Sequence, residues 1–418
     1  MSIAVFAAFA SSIAVDAAEP GKRVIHCGHL VDTAAGKLLG ETSIVVDGKR
    51  IREVKPGRAD VAGATVIDLG NATCLPGLID SHTHLTGETS PTGYTDQFRW
   101  NVADYAIRST VYARRTLDAG FTTVRNLGDN EGESVALRNA IEAGIVPGPR
   151  IFTAGVAIGS TGGHADGTDG YRKDLAGDPG PKEGIINGAD DAWKAVRQHY
   201  KDGDDLIKIM PSGGVLDESS SVDNAQMTLD EIKAVVAAAH DYGFTVAAHA
   251  HGAEAIRRAV LGGVDSIEHG TWYVPTIIAG KFVAEKANVP GYYPPQVAAK
   301  AKQVGPLIQQ TAGRAYKAGV KIAFGTDASV YPHGQNAKEF QYMVDAGMPP
   351  MFVLQAATTH AADLLHRSKD LGSVEAGKFA DVIAVDGNPL EDIARMQRVA
   401  FVMKEGVVYK GAGTTTAP

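Results

Sequence analysis

Cysteine is scarce in this 418-residue chain: Cys27 and Cys74 are the only two. Two thiols are too few for a disulfide framework or for a thiolate zinc site within one chain, so any metal must be held by His, Asp, Glu or Lys. Basic charge is not in excess either. Forty Lys and Arg stand against 48 Asp and Glu, and the net charge of -8 gives no electrostatic reason to bind nucleic acid or an anionic membrane surface. Long apolar runs are missing as well: Ile3 to Val15 is too short to span a bilayer, and no other segment approaches that length. With 44% hydrophobic and 21% charged residues, disorder, collagen-like repeats and multi-span membrane proteins are excluded, and an ordinary globular fold remains.

What is abundant is glycine, at 48 residues, which suits a fold made of repeated strand-loop-helix units with tight connections. Residues 1–19 read as a signal or leader segment, because the apolar run is followed by Asp16-Ala17-Ala18-Glu19-Pro20, small residues before a break. Basic residues ahead of the run are absent. A working leader implies a periplasmic or secreted protein; otherwise the location is cytoplasmic.

From Arg23 to Thr73 short β-rich pieces alternate with turns, and the same texture returns from Ala380 to Tyr409. The two ends are expected to share one sheet, as a small β-sandwich domain of residues 20–75 plus 375–412. Between them, eight strand candidates alternate with helical stretches: Leu75 to Ile79, Thr122 to Asn126, Arg150 to Ala154, Leu206 to Met210, Phe244 to Ala248, Ser266 to Glu268, Trp272 to Thr276 and Lys321 to Gly325. Eight such units predict an α/β fold, a (β/α)8 TIM-like barrel over residues 76–374, with its chemistry at the C-terminal ends of the strands.

Polar residues gather at those ends. Strand one runs into His82-Thr83-His84, and side chains two apart on an extended chain share a face, so both imidazoles can reach one point. Chance alone produces some His-x-His pairs among 13 histidines, and core histidines are the plainer alternative. Lys208 lies inside the otherwise apolar strand Leu206-Ile207-Lys208-Ile209-Met210, where a bare ammonium would cost several kcal/mol. A carboxylate partner is one answer. Conversion of the neutral amine by carbon dioxide to a carbamate is another, and burial favours that neutral amine. His249, His269 and Asp327 end strands five, six and eight. The six residues His82, His84, Lys208, His249, His269 and Asp327 suit two zinc-like divalent ions, with a carbamate as bridge.

These residues, in the order Pro76-Gly77-Leu78-Ile79-Asp80-Ser81-His82-Thr83-His84, Lys208, His249, Ser266-Ile267-Glu268-His269-Gly270 and Gly325-Thr326-Asp327, resemble the binuclear branch of the amidohydrolase superfamily over about residues 23 to 410. Tyr331-Pro332-His333-Gly334-Gln335-Asn336, Ala356-Ala357-Thr358-Thr359 and Gly377-Lys378-Phe379-Ala380-Asp381 are similar to its imidazolonepropionase-related dipeptidase and ochratoxin-type amidohydrolase group. The resemblance implies His82, His84 and Asp327 on one metal, His249 and His269 on the other, and carboxylated Lys208 between them. It also implies two divalent ions, Zn2+ by first choice, a bridging hydroxide as nucleophile, and Asp327 as the catalytic residue that moves the proton to the leaving amine. His164, after Gly162-Gly163, and His251 are candidate substrate contacts, with a structural role as the alternative for each. The nine glycines from Gly159 to Gly188 predict a mobile loop over the barrel mouth. For His333 a structural role is expected. The implied substrates are small carboxylate-bearing amides: dipeptides, N-acyl amino acids or ochratoxin-type amides. The implied assembly is a homo-oligomer. Two alternatives stand beside this: a cyclic-amide hydrolase like imidazolonepropionase, a branch that lacks the bridging lysine, and a non-catalytic scaffold that keeps the fold.

One departure is visible in the sequence. Strand six ends near Gly270 and the next apolar strand begins at Trp272, whereas a parallel crossover takes a dozen or more residues. A long helix from Gln296 to Ala318 is expected after the prolines Pro290, Pro294 and Pro295.

Overall fold

The computed structural model describes residues 21–172, 174, 177–218, 221–267 and 272–411. The leader and His269 lie outside them. Among the described residues no helix is long and apolar enough to cross a membrane.

Both chain ends do build one sheet. Its six strands run in the order Val407–Lys410, Val399–Lys404, Val382–Val385, Thr73–Pro76, His29–Asp32, Lys37–Leu39. The seam is antiparallel and regular, with Val382 opposite Pro76 and Val385 opposite Thr73. A four-stranded sheet from the first part of the chain carries Arg23–Cys27 and Thr42–Asp47 at its centre. Ile25, Ile44 and Val46 of the smaller sheet share a buried cluster with Cys74, Val382, Ala384, Phe401 and Met403 of the larger one. Across that cluster Cys27 and Cys74 form a disulfide. Two cysteines make no framework, yet they make one link, because alternation turns both side chains inward from their strands.

The middle of the chain gives two parallel three-stranded arcs: Leu78–Thr83, Phe121–Asn126 and Arg150–Thr153, then Ile207–Ile209, Val246–Ala248 and Ser266–Ile267. Helices Val102–Asp118, Glu133–Glu142, Ala189–Asp202, Leu229–Asp241 and Ala253–Gly262 follow in alternation. Thr228 starts one of them by accepting from the Glu231 amide, while Glu231 accepts from the Thr228 amide, a reciprocal cap read directly in Thr-x-x-Glu.

The expectation of eight laddered strands closing into a barrel is corrected at the last two. Trp272 to Thr276 and Lys321 to Gly325 contribute single parallel bridges, Ile267 to Tyr273 and Tyr273 to Ile322, and the described ladders do not form one closed sheet. Thr83 in turn bridges Ala328. Five residues separate Ile267 from Tyr273, too few for a crossover helix. After Tyr273 come helices Ile277–Lys286 and Pro295–Lys317, the second close to its predicted bounds and carrying Pro306 internally.

Candidate active site

The end of Leu78–Thr83 and the turn after Phe324 bring three ligand atoms to one point. His82 Nε2 and His84 Nε2 are 3.3 Å apart, and Asp327 Oδ1 lies 3.5 Å from the first and 3.3 Å from the second. Two nitrogens about 2.0–2.1 Å from a tetrahedral zinc are themselves about 3.3 Å apart, so this triangle has the edges of one face of such a site. The donor set, two imidazoles and a carboxylate converging within 4.8 Å, fits a divalent cation.

The surrounding groups hold this face in place. His84 Nδ1 is 3.3 Å from the Gly128 carbonyl, an acceptor that keeps the proton on Nδ1 and leaves Nε2 for a ligand bond. Asp327 has φ 58°, a left-handed conformation unusual outside glycine, and its amide donates to the His82 carbonyl at 2.7 Å. Gly325 is required next to it: a Cβ there would come within 2.3 Å of Val274 and 3.0 Å of the His82 amide nitrogen. Burial alone would raise the Asp327 carboxyl, but His82, His84 and Lys208 together hold it well below the usual carboxylate range. It is therefore ionised at neutral pH.

A second group of imidazoles lies near the first, since His82 acts on His249. The His249 ring is 4.6 Å from that of His164 and 4.7 Å from that of His251. Burial first, then the charges of His164, His251 and Lys208, push the His249 imidazole well below its ordinary value. Burial pushes His251 down to about 4. Both rings are thus neutral at pH 7, the form that ligates metals or accepts hydrogen bonds. His249 Nε2 is buried with no hydrogen-bond partner among the described residues, as the donor set for a second cation would require.

Lys208 is near enough to act on both groups. It is 1% exposed, held in register opposite Ala247, and its charge acts on both Asp327 and His249. Of the predicted residues, the structure gathers His82, His84 and Asp327 in one cluster, sets His164, His249 and His251 in another, and leaves Lys208 electrostatically coupled to both. His333 stands apart: its Nε2 is 2.8 Å from the Gly87 carbonyl, and its ring stacks on Tyr112 at 4.8 Å.

Several residues of the site escaped the sequence reading. Asp80 is fully buried and accepts from the Thr326 hydroxyl at 2.6 Å, the Asn336 amide group at 2.8 Å and the His82 backbone at 3.2 Å. Desolvation raises it to about 7 despite these donors. Its place two residues before His82 puts it on the same strand face, a signal that was available. Arg125 donates to the Ser81 carbonyl at 2.6 Å and to the Ser266 hydroxyl at 2.8 Å, tying strand one to strand six through the interior. Asp217 accepts from His164 Nδ1 at 2.7 Å. Only glycine fits at position 214, where a Cβ would meet the His164 ring at 2.3 Å. Asp217 and Gly214 come from a loop, and nothing in their spacing announced them.

A sequence profile described as amidohydrolase family matches residues 73–409. Among solved structures, a Xaa-Pro dipeptidase with methionine bound in its active site is 47% identical with a TM-score of 0.90, over 94% of this chain and 100% of that one. A prolidase complexed with N-methylphosphonate-L-proline is 32% identical with a TM-score of 0.85, over 93% and 100%. Ochratoxinase of Aspergillus niger is 31% identical over 369 residues, 81% of this chain and 76% of that protein. Similar along most of its length to hydrolases of amide bonds, and bearing a His-Asp face suited to a cation, this chain belongs to the amidohydrolase family.

Proposed function

We propose that the protein hydrolyses the amide bond of small carboxylate-bearing substrates, dipeptides and N-acyl amino acids foremost, with ochratoxin-type amides as a further class. The observation that carries this reading is the His82-His84-Asp327 triangle with its 3.3 to 3.5 Å edges. Those three residues would hold one divalent cation, zinc by first choice, and His249 with His269 a second. Lys208, carboxylated by CO2, would bridge them. When bound, the ions supply Lewis acidity toward the scissile carbonyl and lower the pKa of water near neutrality.

The protein's own groups do the rest. Asp327, ionised and fixed by its backbone, is the base that takes the proton of the attacking water and returns it to the departing amine. His164, oriented by Asp217, and neutral His251 present polar atoms to the substrate's carbonyl or carboxylate. Residues 20–75 with 375–412 are then a β-sandwich domain that supports the α/β part, residues 76–374, which carries the site. The Cys27–Cys74 disulfide favours an oxidising compartment, in keeping with periplasmic or secreted placement. Lys208 disfavours the cyclic-amide alternative.

Elemental analysis of purified protein, paired with hydrolysis assays on dipeptides and N-acyl amino acids, tests the proposal. Two metal equivalents and amide turnover are expected. Asp327→Asn should abolish turnover in a folded protein; near-normal turnover in that variant removes the assignment, and a metal-free, inert wild type removes the hydrolase reading.

A further inference from the structure

A cavity of about 640 Å3 is lined on one side by His251. Such a volume lies within the range of about 300–1,000 Å3 usual for small-molecule pockets. Its walls are Ile256 and Val260 of helix Ala253–Gly262 on one side and Leu307, Ile308 and Ala315 of helix Pro295–Lys317 on the other. Buried Tyr273 forms part of the cavity's inner wall. Apolar surface is open at its rim: Val260 and Leu307 are both 49% exposed.

Its charge is one-sided. Among the described residues no lysine or arginine lines it, and exposed Asp223 lines it next to His251. A carboxylate would be repelled there and desolvated further in. An N-acyl amino acid carries its carboxylate on the amine half, so the uncharged acyl half is the one the cavity accepts. His251 is the link to the site: it lines the cavity, and its ring lies 4.7 Å from that of His249.

We infer that this cavity holds the acyl chain of the substrate and that the enzyme favours N-acyl amino acids with long, flexible apolar chains over dipeptides and N-acetyl compounds. This rests on the hydrolase reading above. The test is the chain-length dependence of kcat/KM for N-acetyl-, N-hexanoyl- and N-decanoylglycine, in the wild type and in Ala315→Trp, which fills the cavity, and Val260→Gln, which makes its exposed rim polar. Each methylene added between hexanoyl and decanoyl should raise kcat/KM about three- to fourfold, and the decanoyl-to-acetyl ratio should fall at least tenfold in both variants. A flat dependence in a wild type that turns over all three overturns the inference and leaves the hydrolase reading standing. So does an unchanged ratio in both variants. A cavity closed by a second copy of the chain would instead show as loss of the oligomer in Val260→Gln with the ratio unaltered, which also overturns it. Calorimetric titration with 1-decanol reads the cavity without turnover. Binding that both variants weaken supports the chain site even if no amide is hydrolysed, a result that sinks only the hydrolase reading; absence of binding refutes the chain site whatever the turnover.

Discussion

Arg150 Nη1 lies 2.8 Å from Asp381 Oδ2, joining the third central parallel strand to the stretch that leads back into the six-stranded sheet. The same guanidinium reaches Glu405 at 2.6 Å and stacks 4.4 Å from the Phe379 ring centre. Arg150→Met leaves the nearly buried Asp381 without its cation and Glu405 with only exposed Lys49 at 3.4 Å. Loss of about 3–5 kcal/mol in urea unfolding is expected; a change below 1 kcal/mol would show that the two parts are held together elsewhere.

The disulfide invites a simple measurement. Cys27 and Cys74 are 47 residues apart, and closing a loop of that size restricts the unfolded chain by about 4 kcal/mol in the entropy treatment. The Cys27→Ala/Cys74→Ala protein should unfold at markedly lower denaturant, and reductant should lower the midpoint of the wild type but not of the variant. Equal midpoints for wild type with and without reductant would count against the bond.

His333 makes the stability pH-dependent. It is 4% exposed, and burial pushes its imidazole from 6.5 down to about 4. Between those two values the unfolded chain binds a proton that the folded chain does not, so stability is complete above about pH 6.5 and falls as the pH drops toward 4. The contribution is about 3 kcal/mol. Urea unfolding at pH 7 and pH 4.5 should show a smaller difference in His333→Asn than in the wild type; parallel losses would exclude this histidine as the source.

Asp217 holds His164 through the 2.7 Å hydrogen bond to its Nδ1. Asp217→Asn should weaken that hold and lower kcat/KM about 10- to 100-fold, mostly through KM, with metal content unchanged. A fall in metal content would make His164 part of the cation site instead.

Chelation offers a direct check on the His-Asp face. Dialysis against a chelator should remove activity, and added Zn2+ should restore it in the wild type but not in His82→Asn or His84→Asn. Full activity after metal removal would exclude cation-assisted hydrolysis.

The sequence made much of this legible because strand periodicity is rigid. His82 and His84, two apart on a strand end, had to share a face, and their Nε2 atoms lie 3.3 Å apart. Lys208 stood out because a cation in an apolar strand is costly. The terminal sheet was legible from turn residues and alternation at both ends. The seventh and eighth strands were not, because apolar runs such as Trp272 to Thr276 specify burial without specifying a ladder, and only Tyr273 and Ile322 pair. Asp217 was hidden for a different reason: its meeting with His164 spans 53 residues and depends on a loop path that no local pattern encodes.

The seam between Thr73–Pro76 and Val382–Val385 sets a timetable for synthesis. Roughly 300 residues must be translated after the first of these strands before its mate exists, some 15–60 s at usual ribosomal speeds. Throughout that interval the early strands present an open hydrogen-bonding border, the feature that recruits chaperones or, failing them, other nascent chains. Slow translation or a stop codon ahead of Val382 would thus harm this protein through misassembly before any question of catalysis arose.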